Sequence, residues 1–362
     1  MDFDTDHQYW VGFHRISGVG SATLLALKES FGSLQVAWEA SAADLRAVGL
    51  NQNAASAIAQ SRREIDLERE MERIRQAGVR ILTIDDPDYP RLLREIPHAP
   101  AVLYIRGELQ PEDELALAMV GTRKATAYGA DMARRFAHDL GRSDVTVVSG
   151  LALGIDTVAH HAAIDAGGRT IAVLGSGVDV VYPSRNRKLA ESVVNHGALV
   201  SEYPLGTRPD ARNFPARNRI ISGLSRGVLV VEAPAKSGAL ITASFAADQG
   251  RDVYAIPGSA RSPASSGCHN LIRDGATLVT SARQILEELL VEVSRAAVQT
   301  RLELPEAPDE RALYNLIGAE PRHIDELCHA SGLPIQETSG ALVALELKGL
   351  VRQQGSGYYV RI

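Results

Sequence analysis

Between residues 79 and 290 short apolar runs alternate with segments of helical periodicity, and this alternation constrains the fold more than any other feature. The first runs are Val79-Arg80-Ile81-Leu82-Thr83-Ile84, Val102-Leu103-Tyr104-Ile105 and Leu115-Ala116-Leu117-Ala118-Met119-Val120. Others lie at 145–149, 170–174, 198–201, 227–232, 252–256 and 276–280. Helical spacing marks the segments near 127–140, 156–166, 185–195, 214–224, 238–249 and 281–291. Strands that alternate with helices build a parallel sheet covered on both faces. Continuous runs such as Val228-Leu229-Val230-Val231 suit central strands. Right-handed crossovers then give a doubly wound, mostly parallel, Rossmann-like α/β domain, expected over 76–298.

The flanks follow other patterns. Residues 1–75 read as a small helical domain of the SAM or helix-hairpin-helix kind: Gly18-Val19-Gly20 precedes Leu24, Leu25, Leu27 and Phe31 at helical spacing. A Gly-Val-Gly hairpin can present N–H groups to phosphate. A lone glycine pair is also an ordinary tight turn in a helical bundle, and that plainer reading is preferred. Residues 62–75 are dense in charges of both signs, as in a solvated connecting helix. The stretch 299–308, with Pro305 and Pro308, reads as a linker. Beyond it, 309–362 has the pattern of a winged helix. A first helix is expected around Ala312, Leu313 and Ile317, a helix-turn-helix pair over 324–328 and 335–348, and a hairpin wing over 351–360.

In doubly wound sheets ligands bind at the C-terminal strand ends. Glycine and polar residues gather there: Gly121-Thr122-Arg123-Lys124, Gly150-Leu151-Ala152-Leu153-Gly154-Ile155-Asp156, Gly175-Ser176-Gly177 with Tyr182, Arg185 and Arg187, Asn213 to Arg219, and Lys236-Ser237-Gly238. Glycine lets backbone N–H groups approach a ligand, and a helix N-terminus favours an anion. Local charge agrees. Residues 121–251 hold sixteen Lys/Arg and eleven Asp/Glu, a net +5 inside a chain of net −6. A basic region in an acidic protein is the footprint of a polyanion site.

Several chemistries lack their signatures. There is no GxxxxGK[ST], no GxGxxG after a strand and no HExxH. His160 and His161 are adjacent and would point apart on a helix, so His160 reads as a core or capping histidine. Gly223-Leu224-Ser225-Arg226-Gly227 matches GxSxG but precedes a strand, which a nucleophile elbow must follow. Asp156 reads as an N-cap or first-turn residue. Glu202 and Glu232 sit at strand ends and could act as bases, without an evident partner. Cys268 and Cys328 are the two cysteines and form no metal or disulfide pattern. No metal site is expected. The acidic start and the lack of a long apolar run lead to the expectation of a soluble, cytoplasmic protein with no membrane partner.

Taken together, these blocks resemble the DprA/Smf family of DNA-processing proteins. Val120-Gly121-Thr122-Arg123-Lys124-Ala125-Thr126 with Tyr128-Gly129 looks like its first turn, with Thr122 where Ser is common. Ser149 to Asp156 with Ala159-His160, then Gly177 to Asp179 with Tyr182-Pro183 and Asn186, look like the second and third blocks. Phe214 to Ile221, Glu232-Ala233, Lys236-Ser237-Gly238, Thr242, Ala255-Ile256-Pro257-Gly258, Gly267, Asn270-Leu271-Ile272 and Gly275-Ala276 follow in order. The resemblance covers most of 79–290. It implies binding of single-stranded DNA during natural transformation, delivery of that strand to the RecA recombinase, and a homodimer through the Rossmann-like domain. It implies no catalysis and no cofactor. The DNA-binding residues expected are Gly121, Thr122, Arg123, Gly175, Gly177, Arg185, Arg187, Asn213, Arg217, Asn218, Arg219, Lys236, Ser237 and Gly238. Tyr182 and Phe214 are the nearest candidates for base stacking.

From residue 306 on, eight acids face five bases, and 335–348 contain only Lys348 as a base. Duplex-reading helices are usually basic, so a protein-contact or regulatory role is expected of the winged helix. Two rival readings remain: a nucleotide-processing hydrolase of the lysine-decarboxylase-like group, and a pure recombinase scaffold.

Overall fold

The computed structural model describes residues 6–289, 307–318, 321–347, 350–353 and 357–361. The chain divides into two compact units, 1–285 and 286–362.

The first unit is built on a nine-stranded sheet. Its strands are β1 (Val79–Thr83), β2 (Val102–Gly107), β3 (Ala116–Val120), β4 (Thr146–Ser149), β5 (Thr170–Val173), β6 (Gly197–Ser201), β7 (Gly227–Val230), β8 (Asp252–Ala255) and β9 (Thr277–Leu278). Each of the nine apolar runs carries one strand. The order is β1-β2-β6-β5-β4-β3-β7-β8-β9, and the strands from β6 to β9 pair in parallel. Only β2 runs against its neighbours. Counted from β3, the parallel strands from β6 to β9 run 4-3-2-1-5-6-7, a doubly wound order that reverses beside β3.

Alternate residues of each strand face opposite layers. In β5, Ile171 and Val173 join Val148, Val228 and Val230 in one core. Helices Asn213–Gly223 and Ala239–Asp248 cover it with Ile220, Ile221, Ala243 and Ala246. Ala172 and Leu174 face the other way, into a core closed by helix Arg187–His196.

That second core also takes in the N-terminal helices. Trp10, Phe13, Leu24, Ile58 and Ile74 share it with Tyr104 and Leu199 of the sheet. The first seventy-odd residues therefore pack as a layer of the same unit. Helix Leu67–Gln76, expected to be solvated, is amphipathic. It buries Met71 and Ile74, and it buries Glu70 because Arg15 and Arg73 pair with that carboxylate.

Several local elements were not legible as periodic segments, among them the short helix Arg91–Arg94, the helix Ser266–Arg273 and the 3₁₀ turn Pro111–Glu114. Each spans at most about two turns, too little for a sustained periodic pattern.

The second unit contains helices Pro308–Leu316, Ile324–Ser331 and Ile335–Leu347. A small sheet of β10 (Arg322–His323), β12 (Tyr358–Arg361) and β11 (Val351–Gln353) completes it. Its core holds Leu313, Ile317, Leu327, Leu342, Leu345, Val351 and Tyr359. This is the winged-helix arrangement expected. Pro308 opens the first helix rather than ending the linker, and 299–306 lie outside the described residues.

Candidate functional site

From β3 the chain winds outward through β4, β5 and β6, then returns to place β7 on the other side of β3. The reversal leaves a crevice at the C-terminal ends of β3 and β7. A cleft of about 620 Å³ lies there. Gly121, Thr122 and Arg123 line it from the β3 turn, Ala152 and Asp156 from the β4 turn, and Tyr182 from the loop after β5. Helix Asn213–Gly223 contributes Phe214, Arg217 and Asn218, and the β7 loop contributes Ser237 and Gly238.

The β3 turn is held from β7. Glu232, 2% exposed, accepts from Thr126 N–H at 2.9 Å and from its hydroxyl at 2.6 Å, and its own carbonyl accepts from Thr122 N–H at 2.7 Å. Thr126 in turn caps helix Ala127–Gly141 by accepting from Gly129 N–H. Gly154, at φ 82°, lets the β4 turn press on Thr122 and Arg123, where a Cβ would collide with their backbone. Arg123 is thereby presented on a rigid turn, exposed and without an ion-pair partner among the described residues.

Arg217 forms part of the floor. It is 4% exposed, and its guanidinium donates to Gly150 O at 2.9 Å and to Val173 O. These carbonyls lie at the ends of β4 and β5, so Arg217 ties the helix carrying Phe214 to the sheet. Asp156, also buried, accepts from Gly150 N–H and Ala152 N–H. It stands in the first turn of its own helix, as one of the two expected roles had it, and the N-cap is Gly154. Burial raises the Asp156 carboxyl to about 6 against the pull of Arg217, and burial lowers Arg217 to about 10.

Arg217 and Arg219, both expected among the DNA-binding residues, have partners within the protein. Arg219 pairs with Glu202 at 2.6 Å, with both side chains about 15% exposed. Glu202 and Glu232, the two candidate bases, are both engaged. Gly175 and Gly177 are buried and closely packed. A Cβ at Gly175 would strike the Phe214 ring, one at Gly177 would strike Asp179 and Pro204, and Gly177 N–H is already given to Thr207 O. Asn213 donates to Gly175 O.

Lys236, Arg185 and Arg187 are exposed and free of ion pairs among the described residues: Lys236 in the loop beyond β7, Arg185 in the 3₁₀ turn Ser184–Asn186 and Arg187 at the start of helix Arg187–His196. Buried Asn186 locks the last two in place by donating to Leu151 O and Thr157 Oγ1. Tyr182 and Phe214 lie with ring centres 5.6 Å apart, and the Arg123 guanidinium stands 5.6 Å from the Phe214 ring. The cleft therefore combines a cation, glycine-bearing turns and an aromatic wall.

A model of the DNA recombination-mediator protein A family matches residues 80–290, and a model of the DprA winged helix domain matches 297–357. The chain belongs to the DprA/Smf family. Protein Smf of Synechocystis is 38% identical over 99% of both chains. The putative DNA processing protein DprA of Mycobacterium tuberculosis is 38% identical over 96% of this chain and 92% of its own. The X-ray structure of DprA from Streptococcus pneumoniae superposes with TM-score 0.69 at 38% identity, covering 80% of this chain and 99% of that one. DprA from Helicobacter pylori, solved for its single-stranded DNA binding mode, superposes with TM-score 0.54 at 27% identity, over 59% and 96%.

The residues of other chemistries are accounted for. His160 is fully buried with Nδ1 2.7 Å from Thr170 Oγ1, and burial lowers it to about 3. Ser225 is buried and donates to Ile221 O, so GxSxG in this DprA/Smf protein is a helix-to-strand turn. Among the described residues no group of three His, Cys, Asp or Glu side chains could hold a metal, and no helix is long and apolar enough to cross a membrane.

Proposed function

We propose that this DprA/Smf protein binds single-stranded DNA along the C-terminal edge of its parallel strands and delivers it to the RecA recombinase during natural transformation, without catalysis and without a cofactor. The observation that carries the reading is Arg123, without an ion-pair partner among the described residues and held on a Glu232-pinned turn beside the Tyr182–Phe214 wall. Arg123, Lys236, Arg185 and Arg187 neutralise phosphates and release counterions. Gly121, Thr122, Ser237 and Gly238 fix the backbone of the strand, Asn213 and Asn218 supply polar contacts, and bases stack on Tyr182 and Phe214. Gly175, Gly177, Arg217 and Arg219 act from beneath, by shaping the cleft.

Support for the strand as ligand comes from the family and from the Helicobacter pylori relative. The protein acts in the cytoplasm as a homodimer through the Rossmann-like domain. Support for the dimer is the short outer strand β9, whose Leu278 is 46% exposed. The hydrolase reading has less support, because both candidate bases are occupied.

The test is a titration of purified protein with matched single- and double-stranded oligonucleotides at two salt concentrations. Tight, salt-sensitive preference for the single strand is expected. Absence of binding to either at low salt would remove the reading.

A further inference from the structure

Tyr128 is an aromatic side chain that the cleft does not use. It stands in the first turn of helix Ala127–Gly141, in the stretch that begins with Arg123, and it is 44% exposed. Its hydroxyl donates to Pro257 O at 2.6 Å, in the loop that follows β8. The ring is thus fixed at both ends, by the helix start and by the β8 loop, while nearly half its surface faces solvent. Its bond is not what anchors the helix start, since Thr126 and Glu232 already do so.

An exposed ring with no rotamer freedom left is a preorganised stacking surface: little side-chain entropy remains to be lost when a base lies on it. Its place in the sheet is informative. Phe214 packs over Gly175 at the end of β5, whereas Tyr128 rests on the loop of β8. The order β5-β4-β3-β7-β8 puts four inter-strand spacings between these two loops, about 19 Å. Arg123, Lys124 and Lys236 belong to the strand-end loops between them, and exposed Arg261 follows Pro257 on the β8 side. Cations between two aromatic surfaces are the arrangement that tracks a single strand.

We propose that Tyr128 is a second base-stacking subsite, so that the strand does not end in the cleft but runs on across β7 to β8. The inference rests on the single-strand reading above. It makes the binding site longer than the cleft and makes its far end independent of Phe214.

The test compares Tyr128→Ser and Tyr128→Phe in the full chain, with oligothymidylates of increasing length. Tyr128→Ser should weaken binding of long oligonucleotides at least about fivefold, the lower end for one base–aromatic stack, and leave the shortest that bind unchanged. Tyr128→Phe, which keeps the ring and drops the hydrogen bond, should bind nearly as the parent. Equal affinity of Tyr128→Ser and parent at every length would overturn the proposal. So would equal losses in both variants at all lengths, which would make the tyrosine a loop brace. A parent protein that binds no single strand would instead sink the reading on which it rests.

Discussion

Glu232 and Thr126 are 106 positions apart in sequence and meet through two hydrogen bonds, 2.9 Å from the amide and 2.6 Å from the hydroxyl. This one carboxylate joins the end of β7 to the turn that presents Arg123. Glu232→Ala would leave two donors unmatched in a half-buried place, at a cost of about 2–4 kcal/mol. Glu232→Gln, which keeps an acceptor and the shape, should cost less. Urea unfolding measures both, and oligonucleotide affinity should fall with the loosened turn. An unchanged unfolding midpoint in Glu232→Ala would show that the pin does not matter.

Arg123 and Lys236 are exposed and unpaired among the described residues, so they can be removed with little effect on folding. The double variant Arg123→Ala/Lys236→Ala should bind every single-stranded sequence more weakly. Two lost phosphate contacts should flatten the slope of log affinity against log salt by about 1.4. Binding isotherms at several salt concentrations check this. Full retention of affinity would favour the scaffold reading.

Arg217 and Arg219 stand two positions apart and serve folding through different partners. Arg217→Met leaves Asp156 without its neighbouring cation and two strand-end carbonyls without a donor, which should cost on the order of 3 kcal/mol. Arg219→Met frees Glu202 from a partly buried pair and should cost about 1–2 kcal/mol. Both losses should appear in thermal unfolding. If Arg219→Met unfolded like the parent and yet lost affinity tenfold or more, Arg219 would be a contact residue after all.

Acid should weaken the fold through His160. Burial depresses its folded pKa to about 3 from an ordinary 6.5, so the stability it contributes is present above about pH 6.5 and is lost as pH falls toward 3. Asp156 works the opposite way: its carboxyl is raised to about 6, so its contribution is largest below its ordinary range near 4 and is lost as pH rises through 6. His160→Asn, whose amide can still donate to Thr170, should reduce the fall in unfolding free energy between pH 6.5 and 4.5, and Asp156→Asn should steepen it. Parallel curves for His160→Asn and the parent would show that this histidine does not set the acid response.

The sheet was legible because each strand is a compact apolar run, and nine runs became nine strands. The helices that were missed are single-turn or two-turn pieces whose burial is decided by tertiary contacts. The site was legible as a place but less so as a set of side chains. Glycine turns after strands located the cleft, and Arg123 and Lys236 are exposed as expected. Composition could not distinguish Arg217 from Arg123, because what separates them is a pair of carbonyls contributed by β4 and β5. Nor could it show that Glu232 faces Thr126, since pairing across a doubly wound sheet leaves no local pattern. Gly175 and Gly177 show the same limit: the close packing around them is set by Phe214, Asp179 and Pro204, and a glycine needed for packing and one needed for a ligand read alike in sequence.

The winged helix provides the last test. Its helix Ile335–Leu347 contains no lysine or arginine, carries Glu337 and Glu346, and leaves Ile335 and Val343 about half exposed. Of the basic residues around it, Arg361 is committed to the Tyr314 ring, 4.0 Å from its centre. A face of this kind cannot release many counterions from a nucleic acid. Its apolar residues are suited to a protein surface. A chain ending at residue 305 should therefore bind single-stranded oligonucleotides within about threefold of the full protein, less than 1 kcal/mol. Equilibrium titration of the two chains side by side decides this, and a loss of tenfold or more would place the winged helix on the DNA.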